Sequence, residues 1–265
     1  MLHRAFCSDI VAETVVVASV LLAASGAQAQ TPPYFPTSHA AVEKMLAMAE
    51  VKESDFLIDL GSGDGRIPIT AAQRFGARGL GVDIDPQRIV EANDNARRAG
   101  VADKVTFRKE NLFDTDIGRA SVLTLYLSLK INIGLRPRIL KEMRPGTRVL
   151  SNDFNMGDWL PDKWERVGDR VVYLWIVPTQ VAGRWRLTFD AAEGARAADL
   201  KLAQQFQELS GSATIDGQAV PLRDGMVTGE QVEFVLDVGH GEAKRFKGRL
   251  VDGHLEGEGW RAIRQ

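Results

Sequence analysis

The stretch Phe56-Leu-Ile-Asp-Leu-Gly-Ser-Gly-Asp-Gly-Arg66 joins an apolar run ending in an acid to a glycine-rich turn, and the turn to a helical pattern. Gly61, Gly63 and Gly65 permit positive φ and let a ligand approach the backbone closely, and amides at a helix start offer donors to an anion. A second short apolar run over 79–82 ends at Asp83. That acid follows the glycines by about 20 residues, a spacing at which a carboxylate accepts from both hydroxyls of a ribose.

Two ligand classes suit such a unit, a dinucleotide and S-adenosylmethionine. Carboxylates at Asp59 and Asp64 would repel a pyrophosphate, whereas they suit a ligand that carries an ammonium and a sulfonium. At Asp59-Leu-Gly-Ser-Gly-Asp-Gly65, Gly81-Val-Asp-Ile-Asp-Pro86 and Asn111-Leu-Phe-Asp114 the sequence resembles the class I S-adenosylmethionine-dependent methyltransferases, over roughly residues 34–178. The lead-in Tyr34-Phe-Pro-Thr-Ser38 and the long run through Arg66-Ile67 also resemble the lysine methyltransferases that modify mitochondrial inner-membrane proteins, with their bacterial relatives. The resemblance implies that S-adenosylmethionine is held by Tyr34, Asp59, Gly61, Ser62, Gly63, Asp64, Gly65, Asp83, Ile84, Asn111 and Leu112. The family pattern carries an acid where this chain has Asn111, whose amide oxygen accepts a bond from an adenine amino group without a charge, unless a backbone group takes that role.

The methyl acceptor is less sharply marked. Tyr126 stands near the carboxyl end of the apolar run 121–127, where it would either orient an acceptor or pack in the core. Asn152 and Asp153 follow the next strand and would either bind an amine or serve a turn. Tyr34 and Phe35 would cover the edge of the core or, as the resemblance implies, cross the cofactor mouth. Together with Tyr126 and Trp159 they would wall an apolar acceptor site. No metal site is expected, since His240 and His254 lack ligand spacing.

These residues need a doubly wound α/β sheet of the Rossmann-like methyltransferase kind to hold them. Strands are expected over 56–60, 79–82, 105–107, 121–127 and 148–151, and an antiparallel pair over 164–167 and 170–177. Helices are expected from Ser38 as N-cap to about Ala49, from Arg66 to the Gly76 stop, over 86–99 with Pro86 at the first position, and over 132–143. In the first, Val42, Met45, Leu46 and Met48 or Ala49 form the buried stripe. From residue 182 short alternating runs over 185–189, 200–206, 213–215, 232–236, 246–250 and 254–260 are punctuated by Asp216-Gly217, Asp224-Gly225 and Asp252-Gly253. They predict a small C-terminal all-β domain, a meander of hairpins closing as a barrel or sandwich, folding apart from the rest with a protease-sensitive connector at 179–183.

The organisation is therefore a segment 1–29, a proline-rich linker 30–37, a cofactor-binding domain 38–178 and a β domain 182–265. Residues 1–29 read as a secretory signal, with Arg4 in its n-region, an apolar stretch 14–24 too short to span a membrane, and Ala27-Gln28-Ala29 as cleavage site. Export to the periplasm or medium is expected, with the cytoplasm as the alternative, and removal of Cys7 would leave no cysteine for disulfides, metal thiolates or nucleophilic catalysis. A net charge of −2 over 265 residues, without a dense basic run, gives no electrostatic footprint for nucleic acid. The acceptor is then a protein, most directly a lysine, or a small molecule. The contrasting reading is a methyltransferase fold kept as a binding module with weak turnover, and radiolabelled methyl transfer separates the two.

Overall fold

A computed structural model of the chain describes residues 35–191, 194–239 and 242–265. Residues 1–34, and with them the signal segment and Tyr34, lie outside the described residues, as does His240. Tyr34–Gln265 forms one compact unit, built from two sheets.

The first sheet has seven strands: β1 (Phe56–Leu60), β2 (Arg78–Asp83), β3 (Val105–Lys109), β4 (Val122–Leu125), β5 (Arg148–Asn152), β6 (Lys163–Val167) and β7 (Arg170–Ile176). Their order is β3-β2-β1-β4-β5-β7-β6. The first five run parallel, and β7 and β6 close the sheet antiparallel. This is the doubly wound sheet that the resemblance implied. The connections reverse direction between β1 and β4, so the carboxyl ends of these neighbours open a crevice where α/β sheets bind ligands. Strand β4 is shorter than the apolar run suggested: Val122–Leu125 is buried throughout, whereas Tyr126 and Leu127 leave the ladder and are only partly buried.

Local chemistry accounts for the helices. Ser38 caps α1 (His39–Met48) by accepting the Ala41 N–H at 3.2 Å, and Val42, Met45, Leu46, Met48 and Ala49 are all buried, so the methionine stripe is core. Helix α2 (Arg66–Phe75) enters from a left-handed Gly65 and stops at a left-handed Gly76, with Pro68 in its first turn. Asp85 caps α3 (Pro86–Arg98) through the Gln87 N–H. Helix α4 (Leu129–Glu142) starts earlier than expected, with Ser128 at the N-cap position but no side-chain cap bond from it, and carries Pro137 inside. At the lower edge of the sheet Asp55 joins Arg148 and the Ser121 hydroxyl. Burial alone would raise the Asp55 carboxyl, but Arg148, the Lys52 N–H and Ser121 hold it below the ordinary carboxylate value.

The second sheet comprises β8 (Gly183–Ala191), β9 (Gly194–Gln205), β10 (Glu208–Ile215), β11 (Gln218–Pro221), β12 (Arg223–Thr228), β13 (Gln231–Asp237), β14 (Ala243–Val251), β15 (His254–Gly257) and β16 (Trp260–Arg264). Each pairs antiparallel with its neighbour, and the additional β9–β10 pairing closes the order β10-β12-β13-β14-β15-β16-β8-β9 into a barrel, with β11 hanging outside on β10. The interior is filled: Phe234 stacks on Phe246 at 5.0 Å, and Phe189 and Trp260 meet Phe246 edge-on.

Three details of the β reading are corrected. The single run 254–260 is two strands, turned at Gly259 with positive φ. Asp224-Gly225 is a bulge inside β12 rather than a turn, because the register shifts between Arg223 and Met226. Strands β11 and β12 were not anticipated. The connector is also no exposed tether: Thr179 and Val181 are buried, Gln204 bonds both, and Thr179 N–H reaches the Gly229 carbonyl at 2.7 Å. Among the described residues no helix is long and apolar enough to cross a membrane.

Candidate functional site

At the crevice the glycine loop leaves β1 directly after Asp59 and turns into α2. Five of the amides around it are bonded inside the protein. Gly61 and Ser62 N–H both reach the Val82 carbonyl at 2.9 Å, Gly63 N–H reaches Asp83 Oδ2 at 2.9 Å, Gly65 N–H reaches the Ser62 carbonyl, and Arg66 N–H reaches Asp64 Oδ1. The expectation that these amides would offer donors to an anion is therefore corrected: none of the five is left for a phosphate. The loop lies so close to β2 and β3 that a Cβ on Gly65 would stand 2.5 Å from the Phe107 ring, and one on Gly81 would meet the same ring and Ser62. Asn95 Nδ2 holds the Asp64 carbonyl from α3 at 2.8 Å.

Charge is arranged unevenly around this loop. Asp59 is 2 % exposed, and its Oδ1 accepts the Thr124 hydroxyl at 2.7 Å. Burial, opposed by that bond and aided by Asp83 and Asp64, pushes its carboxyl up to about 7. Asp64 is different, because Arg66 forks onto both its oxygens, with Nε at 2.9 Å from Oδ1 and Nη2 at 2.6 Å from Oδ2. The repulsion of a pyrophosphate thus rests on Asp59 and Asp83, and Asp64 anchors Arg66. That guanidinium also donates to the Thr37 carbonyl at 2.7 Å, tying the lead-in segment to the loop.

Asp83 takes the Gly63 N–H on Oδ2 and the Asp85 N–H on Oδ1, which orients the carboxylate at the end of β2. Beside it Ile84 is an exposed apolar side chain. Asn111 accepts the Phe113 N–H on Oδ1 at 3.0 Å, so only the second lone pair of that oxygen is left for an adenine amino group. Leu112 is half-buried against the sheet core. Ser62 Oγ is buried without a partner, as is Asn152 Oδ1 at the end of β5. Buried polar atoms without partners are rare, and Asn132 Oδ1 and Trp159 Nε1 share that condition among the described residues.

At the acceptor end Tyr126 stacks on Phe154 with ring centres 6.4 Å apart. Asp153 sits at φ +69 and its carboxylate is paired with Arg170, which the pair with Asp153 and the nearby Tyr126 hold more firmly protonated. Trp159 does not line this end. It is fully buried between Trp175 and Phe206, each 6.0 Å away, and it joins the sheet to the barrel. The wall role expected of it is corrected, and Phe154, which sequence reasoning missed, supplies an aromatic face instead. Phe35 is exposed. Arg66 and Arg170 were also missed; the first is signalled only by its place after Asp64-Gly65, and the second pairs across strands and leaves no local trace.

A depression of about 420 Å³ on the barrel, lined by Arg249, Glu256, Trp260 and Arg261 among others, contains none of these residues. Gly248 and Gly257 in its lining make room for the Trp260 indole. Among the described residues no cluster of His, Cys, Asp and Glu could hold a metal.

Residues 59–163 match the family model described as the ANTKMT methyltransferase domain. A protein-lysine N-methyltransferase from Saccharolobus islandicus (strain REY15A) is 41 % identical over 150 residues, covering 55 % of this chain and 93 % of the relative. The adenine nucleotide translocase lysine N-methyltransferase of Mus musculus is 29 % identical over 130 residues, 49 % of this chain and 56 % of that protein. Among solved structures, an RNA methyltransferase from Salinibacter ruber in complex with S-adenosyl-L-homocysteine is 48 % identical, with a TM-score of 0.55 over 56 % of this chain and 96 % of that one.

Proposed function

The chain belongs to the class I S-adenosylmethionine-dependent methyltransferases, and from that premise we propose that it transfers a methyl group to the side-chain amine of a protein lysine. The observation that carries the lysine assignment is the 41 % identity to a protein-lysine N-methyltransferase matched over 93 % of its length. The residues fit the cofactor: a glycine loop packed closely on Leu127 and Phe107, amides of Gly61, Ser62, Gly63 and Gly65 already bonded within the protein, and a buried carboxylate at Asp59. On this reading Asp83 takes the ribose, Ile84 and Leu112 the adenine faces, and Ser62 Oγ a polar group of the ligand.

Bound S-adenosylmethionine supplies a methyl group already activated on a sulfonium, so the protein's work is alignment and an acceptor with a free lone pair. A lysine arrives mostly as ammonium at neutral pH and must shed its proton. Tyr126 and Phe154 offer it an apolar, desolvating wall, which favours the neutral amine. Asp153, already paired with Arg170, presents no net negative charge that would hold the amine protonated. Asn152 Oδ1 accepts an amine N–H and so turns the nitrogen lone pair away from itself, towards the methyl group.

The test is tritiated methyl transfer from S-adenosylmethionine into fractionated cell protein, followed by acid hydrolysis. Label in methyl-lysine is expected. RNase-sensitive label would favour the acceptor class named for the Salinibacter ruber protein, and label confined to small molecules would equally overturn the lysine reading. Tyr34→Ala and Asp153→Ala are expected to lower turnover by more than about tenfold with little change in cofactor affinity, the pattern of lost acceptor positioning. The Ala27-Gln28-Ala29 site supports a further proposal, that the mature protein starts at Gln30 outside the cytoplasm. N-terminal sequencing from fractionated cells tests it, and an intact Met1 in the cytosolic fraction would reject it.

A further inference from the structure

We propose that the barrel braces the acceptor end of the site, with Phe206 and Gln207 at the β9–β10 turn acting as positioning residues for the loop 153–160. The proposal rests on the methyl-transfer reading and names what that site takes from the second sheet.

The loop that follows β5 carries Asp153 and Phe154, and it is gripped from two sides. On one side α4 holds it: Asn132 Nδ2 donates to the carbonyls of Phe154 at 3.0 Å and Asn155 at 3.3 Å, and Arg136 bonds the Met156 carbonyl at 2.7 Å and pairs with Asp158. On the other side stands the barrel turn. The Phe206 ring lies on Trp159 with centres 6.0 Å apart and planes 21° from parallel, and the Arg136 guanidinium covers the same ring at 5.1 Å. Gln207 Nε2 donates to the Leu160 carbonyl at 2.7 Å.

The turn itself is held in place. Gln207 C=O accepts the Val227 N–H at 2.7 Å, and Gln204 Nε2 donates to the Phe206 carbonyl at 2.8 Å and to the Thr179 carbonyl at 2.9 Å. Phe206 adopts φ +55, a left-handed conformation unfavourable for a bulky residue. Such strain persists only where surroundings over-determine it. A relative of which 93 % is matched by 150 residues of this chain has no length for a counterpart of the barrel. The contacts at Trp159 and Leu160 are therefore particular to a chain that carries the second sheet.

The experiment uses the full chain with Phe206→Ala, Gln207→Ala and Phe206→Tyr. Hydrogen exchange is expected to accelerate at least tenfold over residues 154–160 in the alanine variants, while amides of Gly61, Ser62 and Gly63 keep their rates and Phe206→Tyr restores the wild-type pattern. Methyl transfer to protein should fall about tenfold in kcat for Phe206→Ala, with cofactor Kd within about twofold, since an interaction that only orients the acceptor leaves the cofactor cradle untouched. If Phe206→Ala unfolds the barrel, Gln207→Ala, which keeps the ring, is read in its place. Unchanged exchange over 154–160 in the folded variants overturns the brace. Wild-type protein that labels no lysine would sink the substrate reading instead, and the exchange data still decide the brace.

Discussion

Asp59 sets the cost of the cofactor site, and replacing it with asparagine measures that cost. The carboxylate is almost without solvent and is pushed from 3.8 to about 7, chiefly by burial. Between those values the folded protein holds a proton that the unfolded chain gives up, so stability falls as pH rises through this window. Below about 4 the residue costs nothing, and above about 7 the full penalty is present. Three pKa units at about 1.4 kcal/mol each put that penalty on the order of 4 kcal/mol. Asp59→Asn keeps an oxygen for the Thr124 hydroxyl and removes the charge.

Urea unfolding without ligand is expected to show Asp59→Asn stabilised, with an advantage that grows by about 2–3 kcal/mol between pH 5 and pH 8. Function should move the other way. A cationic ligand lowers the Asp59 pKa, so binding expels a proton near pH 6–7 and affinity rises with pH up to about 7. Calorimetry in buffers of different ionisation enthalpy detects that proton, and Asp59→Asn should bind S-adenosylmethionine at least tenfold more weakly with no proton released. An asparagine variant whose stability differs from wild type by the same amount at both pH values would refute the reasoning.

Further outcomes follow from other parts of the molecule. Asp55→Asn leaves the Arg148 guanidinium half-buried without its ion-pair partner and should cost about 3 kcal/mol in chemical denaturation. Because the Asp55 carboxyl lies below its ordinary value, its contribution is full above the unfolded pKa of 3.8 and is lost as pH falls through the lower folded value, which an acid titration of wild type against this variant would show. Gly65→Ala drives a Cβ to 2.5 Å from the Phe107 ring at φ +78 and should abolish cofactor binding by calorimetry while circular dichroism of the barrel is unchanged. Arg66→Met frees the Thr37 carbonyl and should weaken S-adenosylmethionine about tenfold, with a melting temperature within a few degrees of wild type.

How far these features were legible in the sequence depends on whether their cause is local. The glycine loop, its strand and its helix are punctuated by Gly61, Gly65, Pro68 and Gly76, residues whose backbone preferences act within a few positions. Ser38 and Pro86 announced their helices in the same way. The barrel turns that were found, at Asp216-Gly217 and Asp252-Gly253, have left-handed residues of the expected types. The turn at Phe206-Gln207 has no such residue; its positive φ is held by Trp159 and Arg136, distant in sequence, and by Gln204 two residues before it, so the run 200–206 took Phe206 as its last strand residue and left the turn unmarked.

The same distinction explains the charge argument. Asp59 and Asp64 look alike in the sequence, yet one faces Thr124 in the core and the other is forked by Arg66, and only the fold separates them. The selectivity for a cation over a pyrophosphate survives that correction for a stronger reason than the one read from the sequence. Val82, Asp83 and Ser62 occupy the loop donors that a phosphate would need, so a pyrophosphate placed here would meet two carboxylates and no free amide among Gly61, Ser62, Gly63 and Gly65. A sulfonium ligand asks nothing of those donors, and on the proposed reading the buried carboxylate that weakens the free protein is the group it relieves.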